Sequence, residues 1–498
     1  MNNLFRKQHT KIVDQSDILL PPTWRSRKAD GQNIIVKPSD VFISGRERDL
    51  SEQCIKLLNK ANKMVVICSF LLADAEIEDA IFNAAKRGVR VYLMLACETR
   101  LDKEPGDDEF SNMCLEQHVN MLKRLGGRVL IRSAPHYHAK LVLADPCGDN
   151  PKGFMLTANL TKEAIERNEE FGVVLYKSEI QEVFEIIRWG IWESAEHEML
   201  DGKKFQSVKP LSQIEYPDSG PRIFATTSIT TSLRAKVINL IESAQKQILI
   251  SSFGWDADHP VVKALCDRAS SGVEVTVLAR IRPVAMPALI KLAKSGVRVV
   301  GFKWLHAKAI WTDQDEALVM SANIQKDGLD LGFELGVRMT DIRAKEIQSY
   351  LTHWVNQSKW ELILEPRLGD ISGAAKVWNQ NKFEDITIQA ETEKDLGTIV
   401  GECIQNLDKT PEFPESSWRN NPGHKLSYHW CVNAPVLERN SKEQYLKAEG
   451  KDKAKNSYDP PVYKEPNGRR VIAVNSADQI PVAAELSKSL GGAVLVQR

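Results

Sequence analysis

Two stretches of the chain repeat one order of apolar and polar segments. The first is "ANKMVVICSFLLADAEIEDAIFNAAKRGVRVYLMLA", beginning at Ala61, and the second is "AQKQILISSFGWDADHPVVKALCDRASSGVEVTVLAR", beginning at Ala244. Each opens with a short apolar run and continues with apolar residues three and four positions apart. A turn containing Gly and a second apolar run follow. Short runs predict buried strands and the 3.6-residue period predicts a helix between them. Strand, helix, strand is a βαβ unit with parallel strands. Phe70 aligns with Phe253, and Gly88 with Gly272.

A second round follows in each copy. "NMLKRLGGRVLIRSA" precedes His138, and "ALIKLAKSGVRVVGF" precedes His306. Strand-turn-strand pairs close the pattern: "HAKLVLAD" with "GFMLTANLT", and "HAKAIWTD" with "ALVMSANIQ". A fixed internal similarity over two long copies means a duplication, not a solenoid. The expected fold class is α/β, with two duplicated βαβ domains. The expected division is an N-terminal arm (1–40), repeat one (41–200), a polar linker (201–220), repeat two (221–365) and a C-terminal accessory domain (366–498). The tail's last stretch, "VIAVNSADQIPVAAELSKSLGGAVLVQR", reads as strand-helix-strand. Trp189 and Trp354 fall at matching places in the last helix of each copy and are expected in the core.

The copies differ in one interval. Phe70 to His138 spans 68 residues and Phe253 to His306 spans 53. The excess falls near 97–112, "CETRLDKEPGDDEFSN", which is polar and acidic. It is expected as a loop beyond a strand's C-terminal end, where open α/β sheets place ligands, and as a wall of the site.

Composition changes this picture little. The 498 residues are 43% apolar and carry 66 Lys plus Arg against 66 Asp plus Glu. Neutrality neither announces nor excludes a nucleic-acid partner, because local patches matter more than the total. Eight cysteines are scattered without a CxxC, so they are expected as free thiols in a reducing compartment. The N-terminal residues lack an apolar signal core, and "MVVICSFLLA" (64–73) is too short to span a bilayer. The expectation is a soluble cytoplasmic protein without transmembrane anchoring.

The candidate chemistry lies in what both copies keep. Each has His, then Lys two positions on, then Asp five further: His138, Lys140 and Asp145, against His306, Lys308 and Asp313. Asn159 and Asn323 follow, and Glu170 and Glu334 each come 11 residues after the Asn. Thr157 and Ser321 also match. In a strand, side chains two apart share a face, so ring and ammonium point to one place. A lone His-x-Lys is more often an exposed polar face. The doubled constellation has no such simple explanation in stability. Two Lys, two Asn and two His around one tetrahedral oxyanion form a clamp for a phosphoryl group. One His can attack phosphorus while the other protonates the leaving oxygen. Glu170 and Glu334 are candidates to hold the far ring nitrogens. Asp145 and Asp313 lie beyond the strand and suit a turn as well as a site.

This pattern resembles the phospholipase D superfamily, whose signature is HxKxxxxD followed by Asn and then Glu. The resemblance covers about 41–365. Where the family often has Gly-Ser before the Asn segment, this chain has Leu156-Thr157 and Met320-Ser321. The hydroxyl is kept and the glycine is not. The resemblance implies mixed sheets in the two repeats, which form a pseudo-twofold dimer. It also implies one site on that axis, a phosphohistidine intermediate and no metal. It leaves the substrate open, because fold does not fix function. Arg132, Arg280, Arg282, Lys303 and Trp304 stand near the expected rim, with Thr157 and Ser321 as further substrate contacts. Basic residues beside aromatics suit a nucleic-acid backbone with stacked bases. The sequence therefore favours a nuclease, with a restriction or defence role as one setting. The alternative is a cytoplasmic phospholipase or phosphatidyl transferase. A second alternative is a nucleic-acid-binding subunit with a helicase-type partner.

Overall fold

The apolar runs pair as their alternation requires. The computed structural model describes residues 19–29, 40–44, 48–95, 109–134, 136–200, 205–367, 371, 373–379 and 382–388, with the strand backbones 428–432, 462–464, 470–474 and 494–497. In repeat one, Met64–Ser69 runs parallel to Arg90–Leu95, which runs parallel to Leu130–Ser133. On its other side come Leu141–Ala144, Lys152–Leu156, Phe171–Val174 and Val41–Ile43, each antiparallel to the last. Repeat two has the same plan. Gln247–Ser252, Glu274–Arg280 and Arg298–Phe302 are parallel, and Ala309–Thr312, Glu316–Met320, Glu334–Met339 and Ile223–Thr226 follow antiparallel. These are the mixed sheets that the resemblance implied. Their central strands read as continuous apolar runs because both faces are covered.

Local chemistry sets the connections. Gly88 and Gly272 sit at φ 87° and 94°, a region open to glycine at little cost, and each ends the helix between two parallel strands. The Asp74 carboxylate accepts from Ile77 N at the start of Ala75–Lys86, and that of Asp341 accepts from Arg343 N at the start of Ile342–Gln357.

One hydrophobic core is shared by the repeats. Ile180, Val183, Ile187 and Trp189 of the helix Lys177–Trp189 bury with Ala344, Ile347, Leu351 and Trp354 of Ile342–Gln357. Both tryptophans are thus core residues, as expected. Across this seam Arg343 is 1% exposed. It donates to both oxygens of Glu179, at 2.8 and 2.6 Å, and to the Val174 carbonyl at 2.8 Å. A planar guanidinium satisfies several acceptors at once, which suits it to a buried junction.

The described residues divide into a compact unit spanning Lys28–Lys359 and another that joins residues up to Arg27 with those from Trp360 onward. In the latter, Thr23–Ser26 pairs antiparallel with Trp360–Ile363 and with Gly373–Asn379, which pairs with Lys382–Ile388. The strand at Thr23 was not foreseen within the N-terminal arm, although Trp24 is fully buried there. Its four residues hold too few apolar side chains for a periodic signal. A four-stranded sheet contains Val462–Lys464, Arg470–Val474, Tyr428–Val432 and Val494–Gln497. The helix expected between its last two strands lies outside the described residues, as does most of the loop expected at 97–112. Residues 109–112 of that stretch begin the helix Glu109–Leu125. Among the described residues no helix is long and apolar enough to cross a membrane.

Candidate active site

Two short backbone clasps bring the repeats together at the doubled motif. In one, His138 N donates to Phe333 O at 3.0 Å and Phe333 N to His136 O at 2.8 Å. In the other, His306 N and Ala307 N donate to Glu169 O at 3.1 and 2.8 Å, and Glu169 N donates to Trp304 O at 3.1 Å. Each clasp sets the next residue of one repeat, Glu334 or Glu170, against the histidine of the other. Glu334 Oε1 lies 2.8 Å from His138 Nδ1, and Glu170 Oε1 lies 2.6 Å from His306 Nδ1. The carboxylate keeps the ring proton on Nδ1 and leaves Nε2 with its lone pair.

The hydroxyls hold the carboxylates. Thr157 Oγ1 donates to Glu170 Oε2 at 2.6 Å and accepts from Phe171 N at 2.8 Å. Ser321 Oγ donates to Glu334 Oε2 and accepts from Leu335 N at 3.0 Å. Both side chains are fully buried and already paired, so their expected place as substrate contacts is corrected. The same bonds show that the lost glycines left the carboxylate anchoring intact.

His138 and Lys140 precede the strand Leu141–Ala144, as His306 and Lys308 precede Ala309–Thr312. Each ammonium turns back to its own histidine's carbonyl, at 2.7 Å for Lys140 and 2.6 Å for Lys308. Lys308 Nζ also lies 2.9 and 3.1 Å from the two ring nitrogens of His306. Asn159 and Asn323 each have a buried Oδ1 without a hydrogen-bond partner among the described residues. Ile324 N, next to Asn323, donates to Gly254 O at 3.1 Å, and Leu160 N, next to Asn159, donates to Ser69 Oγ at 3.1 Å. Both asparagines therefore adjoin the segments that carry Phe253 and Phe70.

Those two phenylalanines are site residues that the sequence reading used only as markers of the repeat. Phe70 meets the His138 ring edge-on at 5.5 Å, and Phe253 meets His306 at 4.9 Å. Their matched positions just after the first strand were the available signal.

Asp145 and Asp313 do not join the cluster. The Asp145 carboxylate accepts from the backbone N–H groups of Asn62, Lys63 and Met64, at 2.9, 2.7 and 2.8 Å. Asp313 Oδ1 accepts from Gln245 N and Gln247 N at 2.9 and 3.3 Å. They tie a turn to the start of the central strand, at the end of the sheet away from the histidines. Their candidate catalytic role is corrected to a structural one.

Burial sets the electrostatics. It pushes the His306 imidazole down to about 4, with Lys308 adding to the fall and Glu170 opposing it. His138 moves the same way, again chiefly through burial. Burial lowers Lys140 to about 7 and Lys308 to about 8. Burial would raise Glu170 and Glu334, but the facing histidines and lysines more than offset it and hold both carboxyls below their ordinary value. The result is a pocket with neutral rings, ionised carboxylates and lysines whose charge is easily completed by an anion.

The rim departs from the sequence reading at Arg132. Arg280 stacks at 5.2 Å from Phe253 and 4.9 Å from Trp304, Arg282 at 4.3 Å from Phe253, and Lys303 at 5.0 Å from Trp304. Arg167, which the sequence did not single out, stacks on Trp304 at 3.9 Å. Arg132 is buried in an ion pair with Glu198 at 2.7 Å and is no part of an open basic track.

Residues 54–192 and 237–358 match the family model described as "Cardiolipin synthase, PLD-like domain". The chain is 23% identical over 345 residues to the major cardiolipin synthase ClsA of Bacillus subtilis (strain 168), covering 62% of this chain and 67% of that one. It is 25% identical over 226 residues to the probable cardiolipin synthase YwiE of the same organism, covering 42% and 43%. A solved phosphatidylserine synthase of Haemophilus influenzae Rd KW20 superposes with a TM-score of 0.49 at 11% identity, covering 74% of this chain and 93% of that one. The family and curated relatives carry the names of phospholipid enzymes, which overturns the nuclease preference. Neither the nucleic-acid nor the helicase partner finds support in these relatives. At the rim, Arg132 drops out of the basic set because it is buried and paired, while Arg280 and Arg282 beside their aromatic rings do not by themselves choose between substrates.

Proposed function

The chain belongs to the phospholipase D superfamily, and from that premise we propose that it transfers a phosphatidyl group between alcohols, as a phosphatidyl transferase of the cardiolipin synthase kind. The observation that carries this reading is the pair of cross-repeat bonds, His138 to Glu334 and His306 to Glu170. They leave each Nε2 free of the carboxylate, and the histidines and lysines of the two repeats lie close enough for their charges to interact, as a shared phosphate site for a two-step displacement requires. Cardiolipin is two phosphatidyl groups on one glycerol. By the two-step route phosphorus is attacked twice, first by a nucleophile of the enzyme that displaces one alcohol and then by the hydroxyl of another.

The residues of this chain divide that work. One histidine attacks phosphorus through Nε2 and forms a covalent phosphatidyl-enzyme. The other protonates the departing oxygen and then takes the proton of the incoming hydroxyl. Lys140 and Lys308 stabilise the charge that builds on the non-bridging oxygens, with the amides of Asn159 and Asn323 as further donors. Glu170 and Glu334 orient the rings and stabilise whichever imidazolium forms. Charge comes from the buried lysines, so these steps use the chain's own side chains. The sequence's expectation of a cytoplasmic enzyme fits action on a membrane surface from that side.

The test is to supply vesicles of phosphatidylglycerol and follow lipid products by mass spectrometry. Cardiolipin and free glycerol in equal amounts support the reading. Absence of any phosphatidyl product with well-folded protein overturns it.

A further inference from the structure

Lys140 and Lys308 supply the charge that one transferred phosphate needs, and further cations stand beside them. We propose that Arg280 and Arg282 form a second anion subsite, which holds the phosphate of the accepting lipid and so selects a phosphate-bearing alcohol over water. This rests on the phosphatidyl-transfer reading and names the residues that hold its acceptor.

The strand pairing places them. Glu274–Arg280 runs parallel to Gln247–Ser252, and Ala309–Thr312 runs antiparallel to it, so Arg280 falls at the end of the sheet that His306 occupies. That is the end where open α/β sheets take ligands. The Arg280 guanidinium lies over two rings, 5.2 Å from Phe253 and 4.9 Å from Trp304, and Arg282 lies 4.3 Å from Phe253. Phe253 is itself edge-on to His306 at 4.9 Å and lies 6.0 Å from Lys308 Nζ. The arginine pair is therefore one aromatic ring away from the phosphate clamp. Arg280 is close enough to Lys308 for their charges to repel.

The pair is short of anions. Arg167, which also stacks on Trp304, is ion-paired with Glu163. Among the described residues Arg280 and Arg282 have no hydrogen-bond or ion-pair partner. Glu169 acts on Arg280 through its field alone. Glu170 is already bonded to His306 and Thr157. Both arginines are half-buried. Burial, then Arg282 and then Arg167, bring the Arg280 guanidinium down to about 10. Like charges crowded into a half-buried place are costly, and a bound anion offsets that cost. Stacking occupies a guanidinium's face and not its N–H edge, and that edge takes two phosphate oxygens at once.

A phosphatidylglycerol acceptor brings such an anion. Its attacking hydroxyl and its own phosphate are the two ends of one glycerol, so the second phosphate lies a glycerol's length from the first. Two phosphodiester charges that close repel, and the lysines are engaged by the first. Cations one ring away offset the second and hold the hydroxyl towards phosphorus. The acceptor oxygen then bonds to phosphorus, and its proton passes to the histidine acting as base. The bond from phosphorus to the other histidine's nitrogen breaks and returns its electron pair to that ring. Water makes the same attack without a phosphate and gains nothing from the arginines, so the pair favours transfer over hydrolysis.

The test partitions one phosphatidyl-enzyme among several acceptors. The full chain receives phosphatidylglycerol in nonionic micelles with ethanol, and cardiolipin, phosphatidylethanol and phosphatidic acid are measured by mass spectrometry. All three products come from one intermediate, so their ratios do not depend on how the donor binds. Arg280→Gln with Arg282→Gln should lower the ratio of cardiolipin to phosphatidylethanol by about tenfold or more, the scale of losing a hydrogen bond to a charged group. Arg280→Lys with Arg282→Lys should restore part of it. Wild type supplies a check that needs no variant. Offered 1,3-propanediol and its monophosphate together, it should use the monophosphate in preference. An unchanged ratio in the Gln variant, equal use of the diol and its phosphate, or wild type that makes phosphatidylethanol without cardiolipin would overturn the subsite. Wild type that forms no phosphatidyl product from any acceptor would instead overturn the transfer reading beneath it.

Discussion

Glu170 lies in the first repeat, yet its Oε1 is 2.6 Å from Nδ1 of His306 in the second. Neither half therefore holds a complete histidine–carboxylate pair of its own. Replacing Glu170 with Gln keeps the shape and removes the charge that stabilises an imidazolium. We expect Glu170→Gln and Glu334→Gln each to lower kcat by about 10²-fold or more, the scale of assisted proton transfer. KM should change little. A steady-state comparison of both variants checks this, and an unchanged kcat in either would remove that carboxylate from the mechanism.

The lysines should make the alkaline limb. Burial lowers Lys140 to about 7 and Lys308 to about 8 in the free enzyme. As pH rises through that window the clamp loses charge, so kcat/KM should fall. Stability should move oppositely. A buried lysine whose folded pKa lies below its unfolded value binds fewer protons than the unfolded chain between those two values. Stability therefore rises with pH across that interval. Thermal melts of the substrate-free protein should show Tm rising from pH 7 towards 9, and Lys140→Met should flatten the rise. A Tm that falls over this range would contradict the account.

Asp145 offers a contrast. Its carboxylate takes three backbone N–H bonds and touches no site residue. Asp145→Asn should cost about 1–2 kcal/mol of stability, as loss of such a cap does. Turnover of the folded fraction should be unchanged. A large fall in kcat without a fall in Tm would restore the catalytic role that the structure withdraws.

Much of this was legible in the chain. The alternation of apolar runs and helical periods marked the three parallel strands and the strand pair after them in each repeat, because parallel strands covered on both faces leave a strong signal, but not the outer strands such as Val41–Ile43 and Ile223–Thr226. The doubled His-x-Lys, with Asn and Glu at fixed distances, marked the site. What spacing does not encode is which atoms meet after two repeats fold against each other. The exchange of Glu170 and Glu334 between histidines belongs to that assembly, as does the capture of Thr157 and Ser321 by the carboxylates. Arg132 was misread for a related reason. Arg132 and Arg280 look alike in a sequence, but one is buried against Glu198 and the other lies on Phe253 and Trp304. Burial and stacking are tertiary properties, and counting basic residues misses them.

The seam between repeats depends on Arg343. It is 1% exposed and bonded to Glu179, Asp341 and the Val174 carbonyl. Arg343→Met would leave Glu179 charged and buried without its partner, at a cost of about 3–5 kcal/mol. Denaturant melts should show this loss, and adding Glu179→Leu should recover a good part of it. A single variant as stable as wild type would show that the seam does not need the ion pair.

The stereochemistry at phosphorus tests the central claim most directly. A phosphatidyl donor made chiral by one sulfur in place of a non-bridging oxygen is transferred to a new alcohol, and the product's configuration is read by ³¹P NMR. Two in-line displacements, through a histidine of the composite site, each invert the centre. The account predicts net retention. Net inversion would mean a single direct attack by the acceptor and would contradict it.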